Sequence, residues 1–307
     1  MKKIIFIIIC LWGVSVSCSE DHKIGAPDEI QPDYVLPQGD ASDEANARIQ
    51  DIFDTYGSYV LYNYSSKDAF WTQTSAGTGT QTYVIRMGET QYVDEMLDYI
   101  HEIWLQFFPD DFLKKGGLPY RVFLADSIYW DRSAVSPGWY VCYNQRINGN
   151  SVSIAGMNKD LAGMDAVTKK ARKNELLSTM WDYYIAQGLL NVPDEFYEDT
   201  DYENAPVLPS SGAEALETYR KRGFLPSSYY NGEPEEWYYG DYAWTQAKAN
   251  DLKSFLYHLR EKTDEEVAWF LNNPEYELIQ KKWNILIDYY KKEFGIDLRK
   301  MGNTTFE

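Results

Sequence analysis

Residues 173–184, KNELLSTMWDYY, lie within a stretch that reads as one helix from about Val167 to Gln187, with Gly188 just beyond its end. At helical spacing, residues four apart stack on one face, so Asn174 and Ser178 are neighbours there and Glu175 stands beside the first. Two readings of that glutamate are open. It is either a solvated residue on an ordinary helix or a carboxylate facing a cleft. In a cleft, desolvation would raise its pKa, and a hydrogen bond from a neighbour would offset part of that penalty.

Working outward from this helix, short β-type runs precede it and long helical patterns follow it. Asp43 to Tyr56 places Ile49, Ile52, Phe53 and Tyr56 on one face, with Gly57 as a stop. Ser58 to Tyr64 and Tyr120 to Ala125 are strand-like. Trp139 to Asn144 with Ser151 to Ala155 reads as a hairpin. Tyr92 to Phe108 reads as a helix ending before Pro109. After about sixty residues rich in Asp, Glu, Tyr, Pro and Gly, helices return at Thr245 to Glu261, Asp264 to Leu271 and Tyr276 to Phe294. The second of these opens with a Thr263–Glu266 capping box. The fold class is α+β, helix-rich with a small mixed sheet.

The N-terminal end reads as an export signal over residues 1–17. Lys2 and Lys3 precede an apolar run too short to span a bilayer. Ser15-Val16-Ser17-Cys18 looks like a bacterial lipobox, with Ser15 where Leu is usual and Cys18 as the lipid anchor. A plain secretory signal is the other reading. Residues 18–42 are acidic, carry Pro27, Pro32 and Pro37, and read as a tether, leaving 43–307 as a single domain. Cys142 is the one cysteine beyond Cys18, so no disulfide framework exists, and it is expected to be a small buried hydrophobe. Removing Lys2 and Lys3 moves the formal charge from −18 to −20, which argues against nucleic acid and against charge-driven binding to anionic lipid.

In an H-E-x-x-H helix, two imidazoles four residues apart ligate one zinc, and the glutamate acts as general base on the zinc-bound water. Asn174 and Ser178 stand at the two ligand positions, with Glu175 at the base position. The wider chain resembles the zinc-binding metallopeptidase lipoproteins (zincin-like) associated with TonB-dependent nutrient importers. Ser151 to Met157 matches that family's edge strand. Ala215, Gly223-Phe224-Leu225-Pro226 and Tyr229 match its loop segment. Asn250-Asp251-Leu252-Lys253-Ser254 sits where a Glu-Asp-Phe-Ala-Glu helix stands, and Lys292 to Leu298 matches the closing phrase. The resemblance covers about residues 43 to 300 and implies a zincin-like domain.

The departures define what the resemblance implies about chemistry. Asn174 and Ser178 replace both histidines, and the third ligand position falls at Ser254; only Glu175 and Asp251 survive. An amide and two hydroxyls are poor zinc donors, so zinc is expected to be lost, with no catalytic residue and no other cofactor. Glu175 and Asp251 remain binding candidates. So do Trp237, Tyr239 and Trp244, in an aromatic run beside Glu235, Glu236 and Asp241 that reads either as a sugar-stacking platform or as a packed lid. His101-Glu102 has Leu105 at the second histidine position, and His258 is a single histidine on its helix. Asp199 to Asn204 lacks the glycine and the final glutamate of a calcium loop.

The expected function is a catalytically inactive, metallopeptidase-like lipoprotein of the outer membrane, exposed at the cell surface and accessory to TonB-dependent uptake of a glycan or peptide. It would act as a ligand- or partner-binding protein. The alternative is an active hydrolase, either a residual metallopeptidase or a carboxylate-based glycosidase.

Overall fold

The division read from the sequence, strands first and long helices after, is the division the fold adopts. The computed structural model describes residues 32–69, 71–75, 79–132, 135–207, 212–225 and 246–307. In chain order, the first half carries α1 (Asp43–Tyr56), β1 (Tyr59–Leu61), β2 (Trp71–Ser75), β3 (Gly79–Met87), α2 (Val93–Ile103) and β4 (Arg121–Asp131). Then come β5 (Tyr140–Tyr143), β6 (Gln145–Asn148), β7 (Ser151–Ala155) and α3 (Ala166–Ala186). The remainder is α4 (Gly212–Lys221), α5 (Ala247–Glu261), α6 (Asp264–Leu271), α7 (Glu277–Phe294) and α8 (Leu298–Asn303).

β4 is the spine of a seven-stranded mixed sheet. Its first half pairs in parallel with β1 and β7, and its second half pairs antiparallel with β3 and β5. A register shift between Arg86 and Met87 puts a bulge in the β3–β4 ladder; such a bulge bends a strand and lets one strand serve two sets of partners. β6 pairs with β7 and β2 with β3. This corrects the expected hairpin. β5 pairs with β4, the hairpin partner of β7 is β6, and β7 is an interior strand with every residue buried.

One face of the sheet, with Val122, Leu124, Val152 and Ile154, packs on the helices. Met96, Ile100 and Ile103 come from α2; Leu176, Leu177, Met180 and Tyr184 come from α3; Leu286 and Tyr290 come from α7. These helical positions recur at three and four residues, the spacing that puts one apolar stripe against a core. Trp104 Nε1 donates to Tyr184 Oη at 3.0 Å, so two of the largest buried side chains leave no polar atom orphaned in that contact. α2 stops at Ile103 because Trp104 leaves helical backbone (φ −140, ψ −68), and a single 3-10 turn carries the chain to Pro109. Leu36–Glu307 is one compact unit. Residues 36–42, read as the end of the tether, belong to it: Gln38 Oε1 accepts from the backbone N–H of Tyr62 at 3.0 Å. Cys142 is exposed, which corrects its expected burial. It lies in β5, whose burial alternates and leaves alternate residues in solvent.

Candidate functional site

α3 is launched by Asp165, whose side chain accepts from the N–H of Thr168 at 2.7 Å. It packs against α5, and two cations fasten the pair. Arg260 Nη1 donates to Leu177 O at 3.1 Å and its Nε to Leu256 O at 3.0 Å, while its guanidinium lies 5.3 Å from the Trp181 ring centroid. Lys173 is fully buried and donates to Met301 O at 2.5 Å and Arg260 O at 3.4 Å. Both acceptors lie near helix C-termini, where unsatisfied carbonyls favour a cation.

Burial pushes the Lys173 amine down to about 8, opposed by Glu261 and reinforced by Lys170, Arg260 and Arg299. The sign follows. Folding is penalised while the amine is charged in both states, and the penalty is relieved as pH rises from about 8 to the ordinary lysine value. The stability gained by Lys173→Met relative to the native chain should therefore shrink by the order of 3 kcal/mol between pH 7 and pH 10.5. Urea unfolding across that range checks this. A gap that does not change with pH would contradict it.

Beside these fastenings, the two helices enclose a cavity of about 640 Å³. From α3 it is lined by Asn174, Glu175, Ser178, Thr179 and Asp182, with the Trp181 ring; from α5 by Lys253, Tyr257, Arg260 and Glu261, with Leu256. The spacing on each helix is three or four, so each contributes one face. Glu175 is exposed and accepts from Asn144 Nδ2 across the space between α3 and the β5–β6 junction. Gln145 Nε2 donates to Thr179 Oγ1 at 2.9 Å, and Thr179 Oγ1 to Glu175 O at 2.9 Å, which fixes α3 against the sheet edge. Glu261 differs from Glu175: burial raises its pKa, with Arg260 and Lys173 acting against the rise. The cavity thus offers three carboxyl groups, two cations, a phenol, an amide and two hydroxyls.

The other sequence candidates fall elsewhere. Ser254 is buried and lies outside the cavity lining, one residue along from Lys253; a single helical step of 100° turns it toward the core. Its Oγ and the Asn174 Oδ1 are both buried without a protein hydrogen-bond partner among the described residues. Asp251 is fully buried and paired with Lys282, so it faces no cavity. His258 is buried with Nδ1 2.8 Å from Ser254 O, and His101 is exposed near the end of α2. Asp199 pairs with Lys281, while Asp201 binds the backbone N–H groups of Glu203 and Asn204 and pairs with Arg222, so that acidic loop is internally satisfied. Cys18, Trp237, Tyr239 and Trp244 lie outside the described residues, as do Pro226 and Tyr229. Among the described residues, no group of three or more His, Cys, Asp or Glu side chains is placed to hold a metal ion, and no helix is long and apolar enough to cross a membrane.

Tyr257, Arg260 and Glu261 were missed from the sequence. Their signal was available: they share a helical face with Lys253, but no motif marks a face of such mixed chemistry. No family model matches the chain, and no curated protein matches it. Among solved structures, the chain is similar to a "putative zinc-binding metallo-peptidase" from Bacteroides caccae. The identity is 13%, the TM-score is 0.44, and the match covers 85% of this chain and 91% of the other.

Proposed function

We propose that this chain is a non-catalytic binding protein built on a metallopeptidase-like scaffold, taking its ligand in the cavity between α3 and α5. The observation that carries the reading is that Asn174, Glu175 and Ser178, the three positions of the H-E-x-x-H pattern, line one cavity with an amide and a hydroxyl where imidazoles would stand. Neutral amide and hydroxyl oxygens hold zinc poorly but serve as hydrogen-bonding groups for an organic ligand. The mixed lining, carboxyl groups opposite Lys253 and Arg260, suits a ligand carrying both charges, such as a peptide. On this reading Cys18 anchors the protein at the outer membrane, where it accompanies a TonB-dependent importer.

The test is retention of casein-derived peptides by the purified chain, read by native mass spectrometry. Peptides should be held and released uncut, and Tyr257→Ala together with Glu175→Gln should weaken retention about tenfold or more. Cleavage, or retention indifferent to both substitutions, would overturn the proposal. Carboxylate-based hydrolysis is the second reading, favoured by Glu175 and Glu261 lining the same cavity while burial pushes the Glu261 carboxyl up. Turnover of a peptide or glycan that is abolished by Glu261→Gln would establish it.

A further inference from the structure

The sheet carries an arrangement that the cavity reading does not use. Arg146 lies 3.5 Å from the centroid of Tyr143 and 4.9 Å from that of Tyr83. Arg132 lies 3.9 Å from Trp139 and 4.2 Å from Trp130. Each guanidinium therefore sits against two aromatic rings. Tyr83 and Trp130 are direct partners across β3 and β4, and Ile128, two residues from Trp130, is paired with Tyr143 on β5. Side chains two apart share a face, so the two cations belong to one stripe on the face away from the helices. Trp139, at one end of that stripe, is 40% exposed.

What the arginines lack is informative. The protein has 47 acidic residues against 29 lysines and arginines, and its other arginines find carboxylates or carbonyls readily: Arg48, Arg222 and Arg299 each hold an aspartate. Among the described residues, Arg132 and Arg146 make no side-chain hydrogen bond and no ion pair, and the Nε of each is buried without a partner. Rings satisfy the faces of a guanidinium but none of its N–H groups, which project from its edge. A carboxylate or sulfate is the group that such a fork takes in bidentate fashion, and an exposed indole such as Trp139 is a surface on which a sugar ring stacks.

We propose that this stripe is a binding site for an acidic polysaccharide, whose carboxylate or sulfate groups engage the edges of Arg132 and Arg146 while a sugar ring packs on Trp139. Nucleic acid fits less well. A net charge of −18 repels a dense polyphosphate, and affinity for it needs about 6–10 phosphate contacts where two arginines stand. A membrane headgroup site likewise needs a cluster of about 4–8 basic residues.

The test is affinity electrophoresis of the mature chain in gels containing polygalacturonate, heparin or neutral dextran, with labelled oligothymidylate titrated separately in solution. Retardation by at least one acidic polymer and none by dextran is expected. Arg132→Ala with Arg146→Ala should weaken it about tenfold or more, because charge-assisted pairs are lost. If that variant does not fold, Arg132→Lys with Arg146→Lys decides the matter: it keeps the charge but not the fork, and should still weaken binding several-fold while the unfolding midpoint stays near native. Absence of retardation by both acidic polymers overturns the proposal, as does retardation indifferent to both variants. Oligothymidylate bound as tightly as either polymer also overturns it. The cavity variants Tyr257→Ala and Glu175→Gln should leave this retardation unchanged, so failure here and failure of the cavity reading are separable.

Discussion

Lys282→Met should lower the unfolding free energy by about 3–5 kcal/mol, and Asp251→Leu by less. Lys282 and Asp251 form a salt bridge with side chains 1% and 0% exposed. Lys282 Nζ also donates to Gly223 O at 2.9 Å, and Tyr202 Oη donates to Asp251 Oδ2 at 2.5 Å. Burial is the first influence on each partner, pushing the Asp251 carboxyl up and the Lys282 amine down, with their mutual attraction acting against it. Removing one partner therefore strands a charge. The surroundings decide which loss is worse. Phe196, Phe255 and Phe224 lie 4.6, 4.7 and 5.3 Å from Lys282 Nζ, and their negative ring faces support a stranded ammonium but not a stranded carboxylate. Making both substitutions together should recover most of the loss, because well-packed apolar groups replace a desolvated pair at little net change. With Lys282 gone, the Asp251 pKa stays raised on folding, so that penalty should fade as pH drops toward the unfolded carboxylate value. Urea midpoints for the two single variants and the double check all of this, and additive losses would contradict it.

Asn174→His with Ser178→His should convert the cavity into a zinc site at least about a hundredfold tighter than the native one. The two positions are four apart on the cavity face of α3, with Glu175 between them. Calorimetric titration should show the affinity falling below about pH 6.5, where the introduced imidazoles take up protons. A third ligand separates two geometries. Lys253→Glu adds a carboxylate on the lining and should tighten zinc further. Ser254→Glu, at the position given by the resemblance, would add one inside the core and should destabilise the fold instead. If Ser254→Glu tightens zinc and Lys253→Glu does not, the α5 face is assigned wrongly.

Much of the scaffold was legible where one period dominates. Asp43–Tyr56 and Asp264–Leu271 follow the sequence reading because a cap and a single apolar stripe mark each of them. The β2–β3 hairpin was not legible: Trp71-Thr72-Gln73-Thr74-Ser75 is mostly polar and carries no apolar alternation. Nor was α4, whose Gly212–Lys221 lies within a stretch read as loop for its turn-forming residues. Pairing was harder still, since β4 changes partners along its length and the bulge that permits this leaves no mark in the residues themselves. At the site, Asn174, Glu175 and Ser178 come together because spacing on one helix is local information. Tyr257 and Glu261 join them only through the packing of α5 on α3, which spacing within either helix does not encode.

Zinc content of the native chain, purified without chelator and measured by mass spectrometry after dialysis, bears most directly on the reading of α3 as a motif helix stripped of its ligands. Well under one atom per chain is the expected result. One zinc per chain that survives dialysis and is lost on Glu175→Gln would contradict it.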